Sequence, residues 1–190
     1  EVFGDEPGKT TVLLVPTWSI MRSRFWKAQV PYLARHFRVV TFDGRGTGRS
    51  DRPPASHAYT HLEFAADTLA GLDATKTDNA VFVGLSCGTL WNVQVAADHP
   101  ERVLGIVAIG PAVPLAPLRP ERTVHPFDGR PTTHEGWAKY NKQHWLNGGY
   151  DDFLRFFFGE MVHEPHSTKQ LEGLIGWGRG VEPETLVAAH

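Results

Sequence analysis

One serine in the sequence stands where the physics of a nucleophile would place it. Residues 84–88 read Gly-Leu-Ser-Cys-Gly, with the apolar run 80–84 before them and a segment of helical periodicity after them. In this strand, turn and helix context, Gly84 and Gly88 let the two elements approach closely and expose the hydroxyl of Ser86 at the start of the helix. The partial positive charge there favours an attacking alkoxide and the oxyanion that follows. We therefore predict that Ser86 is a catalytic nucleophile.

Two backbone N–H groups are candidates for an oxyanion hole. Cys87 follows the serine directly, and Trp18 lies in the Pro-Thr-Trp-Ser loop after the first apolar run. Acyl transfer uses two such donors, one after the nucleophile and one from an earlier loop. Two alternatives stay open: Ser86 as an ordinary helix cap, and Trp18 as core or pocket wall. For the Cys87 side chain we favour a small buried apolar role over thiol chemistry, because the apex of the turn belongs to Ser86.

A glycine-rich loop, residues 43–50, also follows an apolar run. Its glycines fall at every second position, whereas a dinucleotide-binding loop has the spacing G-x-G-x-x-G and opens a capped helix. The interpretation that we favour is a tight loop packed beside the active-site turn. We predict no organic cofactor and no metal ion.

Four apolar runs predict one mostly parallel sheet. They lack the polar alternation of half-exposed strands, so helices should cover both faces. The runs are residues 11–15, 38–42, 80–84 and 103–109. Segments with helical periodicity alternate with them: 25–36, broken near Pro31, then a helix capped by Thr60 and Glu63, then 89–98. In the second helix the predicted buried face is Leu62, Ala65, Ala66, Leu69 and Leu72. This alternation predicts an α/β fold.

The C-terminal part of the sequence has a different character. Residues 110–120 are rich in proline and predict a connector, and Pro183 suits the first turn of a late helix. We expect residues 1–115 to form an N-terminal α/β core and residues 116–190 a helical cap. The segments 137–146, 151–162 and 167–177 have helical periodicity. Their aromatic residues predict an apolar pocket or, alternatively, plain core: Trp137, Tyr140, Trp145, Tyr150, Phe153, Phe156, Phe157 and Phe158.

Four motifs together resemble the α/β-hydrolase superfamily, in particular esterase and haloperoxidase-like members with a helical cap. They are PTWS, FDGRGTGRSDRP, VGLSCG and AADHPERVLGIVAIGP, and the likeness covers about residues 8–115. The resemblance implies an α/β fold with helices on both faces of the sheet. It also implies that Ser86 is the nucleophile, that the N–H groups of Trp18 and Cys87 form the oxyanion hole, and that Asp43 is a loop residue rather than the triad acid. The chain departs from the family at Pro16-Thr17, where His-Gly is usual.

A serine of this kind needs a base and a carboxylate that orients it. In this fold they follow later strands in the order serine, acid, histidine, and no strand-like run follows residue 109. We therefore expect the acid, the base and the remaining strands to lie outside this chain. For the downstream histidines and acids we favour surface or pocket-lining roles: His134, His144, His163, His166, His190, Asp128, Asp151 and Asp152. Residues 103–109 would then form an exposed sheet edge, open to a second chain or copy.

Composition and charge argue against several classes of function. The chain has 190 residues and a formal charge of −2 without a basic stripe, so a nucleic acid partner is not expected. No apolar run is long enough to span a membrane and no signal peptide is visible. Together with a single cysteine, Cys87, this makes a cytoplasmic location the default expectation.

We expect a serine hydrolase that cleaves an ester, thioester or related acyl bond in a small apolar substrate. Acyl transfer or carbon–carbon bond hydrolysis at the same serine remains an alternative. A third possibility, from a different class, is a module that binds a small ligand without turnover.

Overall fold

The structure is a computed structural model that describes residues 1–113 and 120–190. Its described residues contain one five-stranded sheet with the strand order β1-β3-β2-β4-β5. The strands are β1 (Val2–Phe3), β2 (Thr11–Leu14), β3 (Arg38–Thr41), β4 (Ala80–Leu85) and β5 (Val103–Ile109). The pairs β2–β3, β2–β4 and β4–β5 are parallel, whereas β1 runs antiparallel to β3. The predicted mostly parallel sheet is confirmed, and β1 is an addition to it.

Both faces of the sheet are covered at β2 and β3, and alternate side chains of these strands enter different cores. Leu13 and Phe82 face one core, which the helices α2 (His61–Ala74) and α3 (Cys87–Asp98) complete. On the other face Val12 and Leu14 lie against Trp26 and the short helix that carries it. That 3₁₀ helix (Ser23–Ala28) is followed by α1 (Val30–Leu33), with Pro31 in its first turn. The break expected near Pro31 is therefore present.

Helix α2 begins as the sequence predicts but buries a different face. The side chain of Thr60 accepts a hydrogen bond from the Glu63 N–H, which caps the helix. Leu62 is 63% exposed and Ala66 is also exposed, so their assignment to the buried face was wrong. The buried positions are Phe64, Ala65, Thr68 and Leu72. The reason is tertiary: the ring of Phe64 stacks on Trp91 of α3 with centroids 4.0 Å apart, which turns this side of the helix inward.

The C-terminal part is helical. It contains α4 (Pro120–Thr123), α5 (Lys142–His144), α6 (Tyr150–Gly159), α7 (Thr168–Gly178) and α8 (Pro183–Ala188), together with a 3₁₀ turn at Gly136–Lys139. Pro183 occupies the first turn of α8, as predicted. Residues 137–146 do not form one helix. The backbone leaves the helical conformation again at Asn147 and Gly148, where φ of the glycine is 90°. Most of the expected connector 110–120 and the boundary at residue 115 fall within residues 114–119, which lie outside the described residues.

An aromatic cluster holds the C-terminal helices together and joins them to the loop after β2. Its most buried members are Trp145, Phe153, Leu154, Phe158 and Leu186, at 0 or 1% exposure. Ile20 and Met21, from the loop after β2, belong to the same cluster. The loop that carries Trp18 is therefore held between the sheet and the C-terminal helices.

Strand β5 forms an edge of the sheet, with β4 as its neighbour. Leu104, Val107 and Ile109 of this strand are 56%, 48% and 41% exposed. The exposed edge expected from the sequence is therefore present in the described residues. No helix in this described part of the chain has the length and apolar character needed to cross a membrane.

Candidate active site

Ser86 occupies the sharp turn between β4 and α3. Its backbone has φ 54° and ψ −120°, a conformation that residues with a side chain rarely adopt and that costs of order 1–3 kcal/mol. Hydrogen bonds on both sides of the peptide hold it there. The Ser86 N–H donates to the Ile109 carbonyl at 3.0 Å, and the Ser86 carbonyl accepts from Thr89 at 3.1 Å and Ala112 at 3.2 Å. The surrounding backbone thus fixes the serine in a strained conformation.

The two glycines beside the turn are needed for space. A Cβ atom at Gly84 would lie 2.6 Å from the Thr89 nitrogen and 2.7 Å from the Gly88 carbonyl carbon. A Cβ atom at Gly88 would overlap the carbonyl oxygen of Pro16. Both obstacles are backbone atoms, which cannot rotate away. The predicted role of Gly84 and Gly88 in close approach therefore has a direct geometric basis.

A cavity of about 830 Å³ opens at Ser86. Cys87, the first residue of α3, and Trp18 line it beside the serine. The Trp18 ring packs against Tyr140 with centroids 5.9 Å apart and against the edge of Phe157 at 5.8 Å. Its Nε1–H donates to the Ala189 carbonyl at 3.1 Å. The structure thus brings Ser86, Cys87 and Trp18 together, and it uses the Trp18 ring as a pocket wall.

The predicted aromatic residues divide between the two roles that the sequence left open. Trp137, Tyr140 and Phe157 line the cavity. Phe156 packs edge-on against the ring of Trp137 at 5.2 Å. The others are buried in the cluster away from the cavity: Trp145, Tyr150, Phe153 and Phe158. The wall facing Ser86 is mainly apolar.

The glycine-rich loop 43–50 uses its polar groups internally. The Asp43 carboxylate accepts from the N–H and hydroxyl of Ser23 at 3.0 and 2.7 Å and from the N–H of Arg49 at 3.0 Å. Burial raises the pKa of Asp43, but these hydrogen bonds outweigh it and leave the pKa lowered. Arg45 pairs with Asp67 through two contacts of 2.7 Å. These contacts agree with a tight structural loop rather than a nucleotide-binding one.

The predicted acids and most of the histidines lie away from the cavity. Asp128 pairs with Lys142, Asp151 with Arg155 and Arg179, and Asp152 with Lys139. Of the five candidate histidines, His190 lines the cavity, where its ring stacks on Phe127 at 3.6 Å; the other four do not line it. Within residues 1–113 and 120–190, no Asp or Glu side chain lines the cavity at Ser86.

One of the candidate histidines does lie close to one of the candidate acids, but away from the cavity at Ser86. His144 Nε2 lies 3.3 Å from the Asp152 carboxylate, and its Nδ1 lies 3.1 Å from Nδ1 of His134. Burial lowers the pKa of His144, the neighbouring His134 lowers it further, and Asp152 opposes both. None of these three residues lines the Ser86 cavity. In the described part of the chain, no cluster of three His, Cys, Asp or Glu side chains could hold a metal ion.

Tyr59 and His61 are among the cavity residues that the sequence did not predict. Tyr59 and His61 both line the cavity, on the side formed by the start of α2. The Trp91 Nε1–H donates to His61 Nδ1 at 3.3 Å, so a neutral His61 carries its proton on Nε2. The sequence offered no signal for either residue beyond their place beside the capping pair Thr60 and Glu63.

Comparison with known proteins shows which fold family the chain resembles. The family model described as alpha/beta hydrolase fold matches residues 10–169. A Yersinia enterocolitica protein that bears the name of a carbamate hydrolase, RutD, is 44% identical to this chain over 87 residues. Those residues are 45% of this chain and 31% of that protein. Epoxide hydrolase A of Mycobacterium tuberculosis is 34% identical over 119 residues, 60% of this chain and 36% of its own.

Solved structures extend the likeness to the whole chain at the level of the fold. The enol-lactonase of Burkholderia xenovorans superposes with a TM-score of 0.75 over 99% of this chain and 66% of its own, at 21% identity. A hydrolase from Pseudomonas aeruginosa gives 0.74 over 100% of this chain and 65% of its own, at 24% identity. By contrast, the chain matches only about a third of the length of the two curated relatives, RutD and epoxide hydrolase A.

Proposed function

Because the chain belongs to the alpha/beta hydrolase fold family, we propose that it carries the nucleophile of a serine hydrolase that cleaves an ester, thioester or related acyl bond. The observation that carries this proposal is the backbone of Ser86, held at φ 54° and ψ −120° at the start of α3 and opening onto a cavity of about 830 Å³. A strained serine in that position has no structural purpose that a glycine would not serve better.

The proposed reaction begins with attack of the Ser86 hydroxyl oxygen on the substrate carbonyl carbon, while a base takes the hydroxyl proton. The tetrahedral oxyanion that forms lies at the N-terminus of α3, where the Cys87 N–H and the Trp18 N–H are the proposed donors. The base gives this proton to the departing alcohol or thiol, which leaves an acyl group on Ser86, and water then hydrolyses that ester to the free acid and restores the hydroxyl. The apolar walls formed by Trp18, Tyr140 and Phe157 suit a small apolar acyl substrate.

We place the base and its orienting acid outside residues 1–190, on a further segment of polypeptide or on a second chain. Two observations support this placement. Asp128, Asp151 and Asp152 are engaged with cationic side chains away from the cavity, and the chain covers only 66% of the enol-lactonase structure. The exposed apolar edge of β5 offers the site where such an addition would pair.

A fluorophosphonate probe tests the proposal, because it reacts with serine hydroxyls that a base has activated. We expect the complete protein, including the segment or second chain that supplies the base, to hydrolyse a short-chain aryl ester and to lose that activity as one adduct forms on Ser86. Ser86→Ala should abolish both. Ser56→Ala is the matched control, since Ser56 lines the same cavity, and should retain both. Hydrolysis that survives Ser86→Ala, or an adduct on another residue, would contradict the proposal.

A second candidate is a module that binds a small ligand without turnover. It is favoured by one observation: among the described residues, no Asp or Glu side chain lines the cavity to orient a base. In that case the protein would bind small apolar compounds reversibly, and neither an adduct on Ser86 nor ester hydrolysis would be seen.

A further inference from the structure

Both methionines of the chain line the cavity at Ser86, but they differ in their access to solvent. Met21 belongs to the buried aromatic cluster and is 5% exposed, whereas Met161 is 53% exposed. A residue that lines a cavity and is also half exposed lies at the mouth of that cavity. A dissolved reagent can therefore reach Met161, while the surrounding protein shields Met21.

Helix α6 fixes the place of Met161 at this mouth. The residue lies two positions beyond the end of the helix, and its N–H donates to the Phe158 carbonyl at 3.1 Å. Phe158 is fully buried in the aromatic cluster, and its neighbour Phe157 lines the cavity. The backbone of Met161 is thus anchored next to an aromatic wall. A chemical change at its side chain would alter the entrance to the cavity and leave the core intact.

The side chain of methionine has one reactive atom that needs no activation. Its thioether sulfur does not ionise in water, so its reaction with an oxidant depends on access. A sulfur lone pair attacks one oxygen of hydrogen peroxide, and the O–O bond breaks as the S–O bond forms. The displaced hydroxide takes the proton of the transferred oxygen and leaves as water. The thioether is oxidised to a sulfoxide, and the peroxide is reduced.

From this placement we propose that Met161 is an oxidation site at which peroxides lower the affinity of the cavity for apolar compounds. A sulfoxide is polar, and an apolar ligand that covers it removes its oxygen from water without offering a hydrogen bond in return. The wall behind it, formed by Trp137, Tyr140 and Phe157, would contact the rest of such a ligand. The inference rests on the proposed function only for the uptake of apolar compounds into this cavity, which the hydrolase and the binding module share.

Peptide mass spectrometry after treatment with hydrogen peroxide tests the site of oxidation. Met21 is the matched control, because it is the same side chain in the wall of the same cavity. We expect Met161 to gain one oxygen atom about tenfold faster than Met21, in proportion to their exposed fractions. Equal rates in the folded protein would overturn the proposal, because they would show that the mouth gives Met161 no selective access.

Fluorescence titration with a neutral apolar probe tests the consequence for binding. The probe is the naphthyl ketone prodan, and each protein is titrated before and after peroxide treatment. We expect oxidation to weaken binding to the wild type about fivefold, from the cost of burying an unpaired polar oxygen. Met161→Leu cannot form a sulfoxide, so peroxide should leave its affinity at its own untreated value. Met161→Gln, which is polar at the same position, should bind as weakly as the oxidised wild type without any peroxide.

The Met161→Leu variant also controls for oxidation at Cys87, which lines the same cavity and is present in both proteins. An equal loss of affinity in this variant would assign the effect to Cys87 and overturn the proposal. So would an unchanged affinity in wild-type protein whose Met161 is fully converted to the sulfoxide. Absence of probe binding to the untreated protein would overturn it too, since the cavity would then not take up apolar compounds. None of these measurements involves turnover, so they are independent of whether a fluorophosphonate labels Ser86.

Discussion

The turn at Ser86 and the aromatic cluster of the C-terminal helices meet at one cavity but are built in different ways. At the turn, main-chain atoms set the geometry: carbonyl and N–H groups hold the serine, and two glycines leave room for backbone. In the cluster, side chains fill the space, with Phe153 and Trp145 in ring contact at 4.5 Å. The reactive atom is therefore positioned by the backbone, which tolerates almost no change, whereas the pocket is shaped by side chains, which can be exchanged.

Removing a ring from the cluster should have the largest effect on stability. Phe153 is 0% exposed, and its ring contacts those of Tyr140, Trp145, Tyr150 and Phe157. We expect Phe153→Ala to lower the free energy of unfolding by about 4 kcal/mol, measured by urea denaturation. Phe156→Ala is the control, because Phe156 is only partly buried, and its effect should be less than half as large. Equal effects would mean that the cluster does not depend on its buried centre.

Adding a single methyl group at the turn should come next in size. Gly88→Ala places its Cβ against the Pro16 carbonyl oxygen, so we expect a loss of about 3 kcal/mol and much slower labelling of Ser86. Gly176→Ala is the matched change in α7, where a Cβ would meet nothing within 4 Å. It should raise stability by about 0.5–1 kcal/mol, because alanine favours a helix. If both variants behaved alike, the backbone at the turn would be less constrained than its contacts indicate.

Replacing the carboxylate that organises the loop 43–50 should have the smallest effect on stability. That effect should depend on pH. The pKa of Asp43 is lowered in the folded protein, so its stabilising contribution is present above the unfolded pKa near 3.8 and is lost as the pH falls through the folded pKa. We expect Asp43→Asn to cost about 1 kcal/mol at pH 7, because its amide replaces one of two acceptor oxygens. The difference from the wild type, followed by denaturation from pH 7 to 3, should shrink at the acid end. A constant difference would place the effect outside titration of Asp43.

The strands of the sheet could be predicted well because each is a run of apolar residues that ends at residues unfavourable to a strand. Each of the four predicted strands has ends within one residue of the structure. The short strand Val2–Phe3 was missed, since it exists only through antiparallel pairing with Val39 and Val40, a contact distant in sequence. The buried face of α2 was partly wrong for a related reason, because stacking of Phe64 on Trp91 decides it and periodicity alone does not reveal that partner.

The backbone of the candidate site could be predicted from the sequence, but most of the side chains that line the cavity could not. The motif around Ser86 carries its own geometry, so the turn, the two glycines and the start of α3 could be inferred from local sequence. Tyr59 and His61 reach the cavity through the packing of α2 against α3 and of the preceding 3₁₀ turn (Ser56–Tyr59) against α8, which no local pattern encodes. The division of the aromatic residues between pocket and core likewise depends on the kink at Asn147 and Gly148, which reorients the chain before α6.

The left-handed backbone of Ser86 also bears on how this protein would respond to selection. Glycine adopts φ 54° without steric penalty, so Ser86→Gly should make the fold more stable by relieving part of the strain. A laboratory population selected for heat resistance alone would therefore drift toward glycine at this position. If serine persisted at this position under such selection, its hydroxyl would have to be required for function. Selection for stability and selection for the hydroxyl therefore favour different residues at position 86.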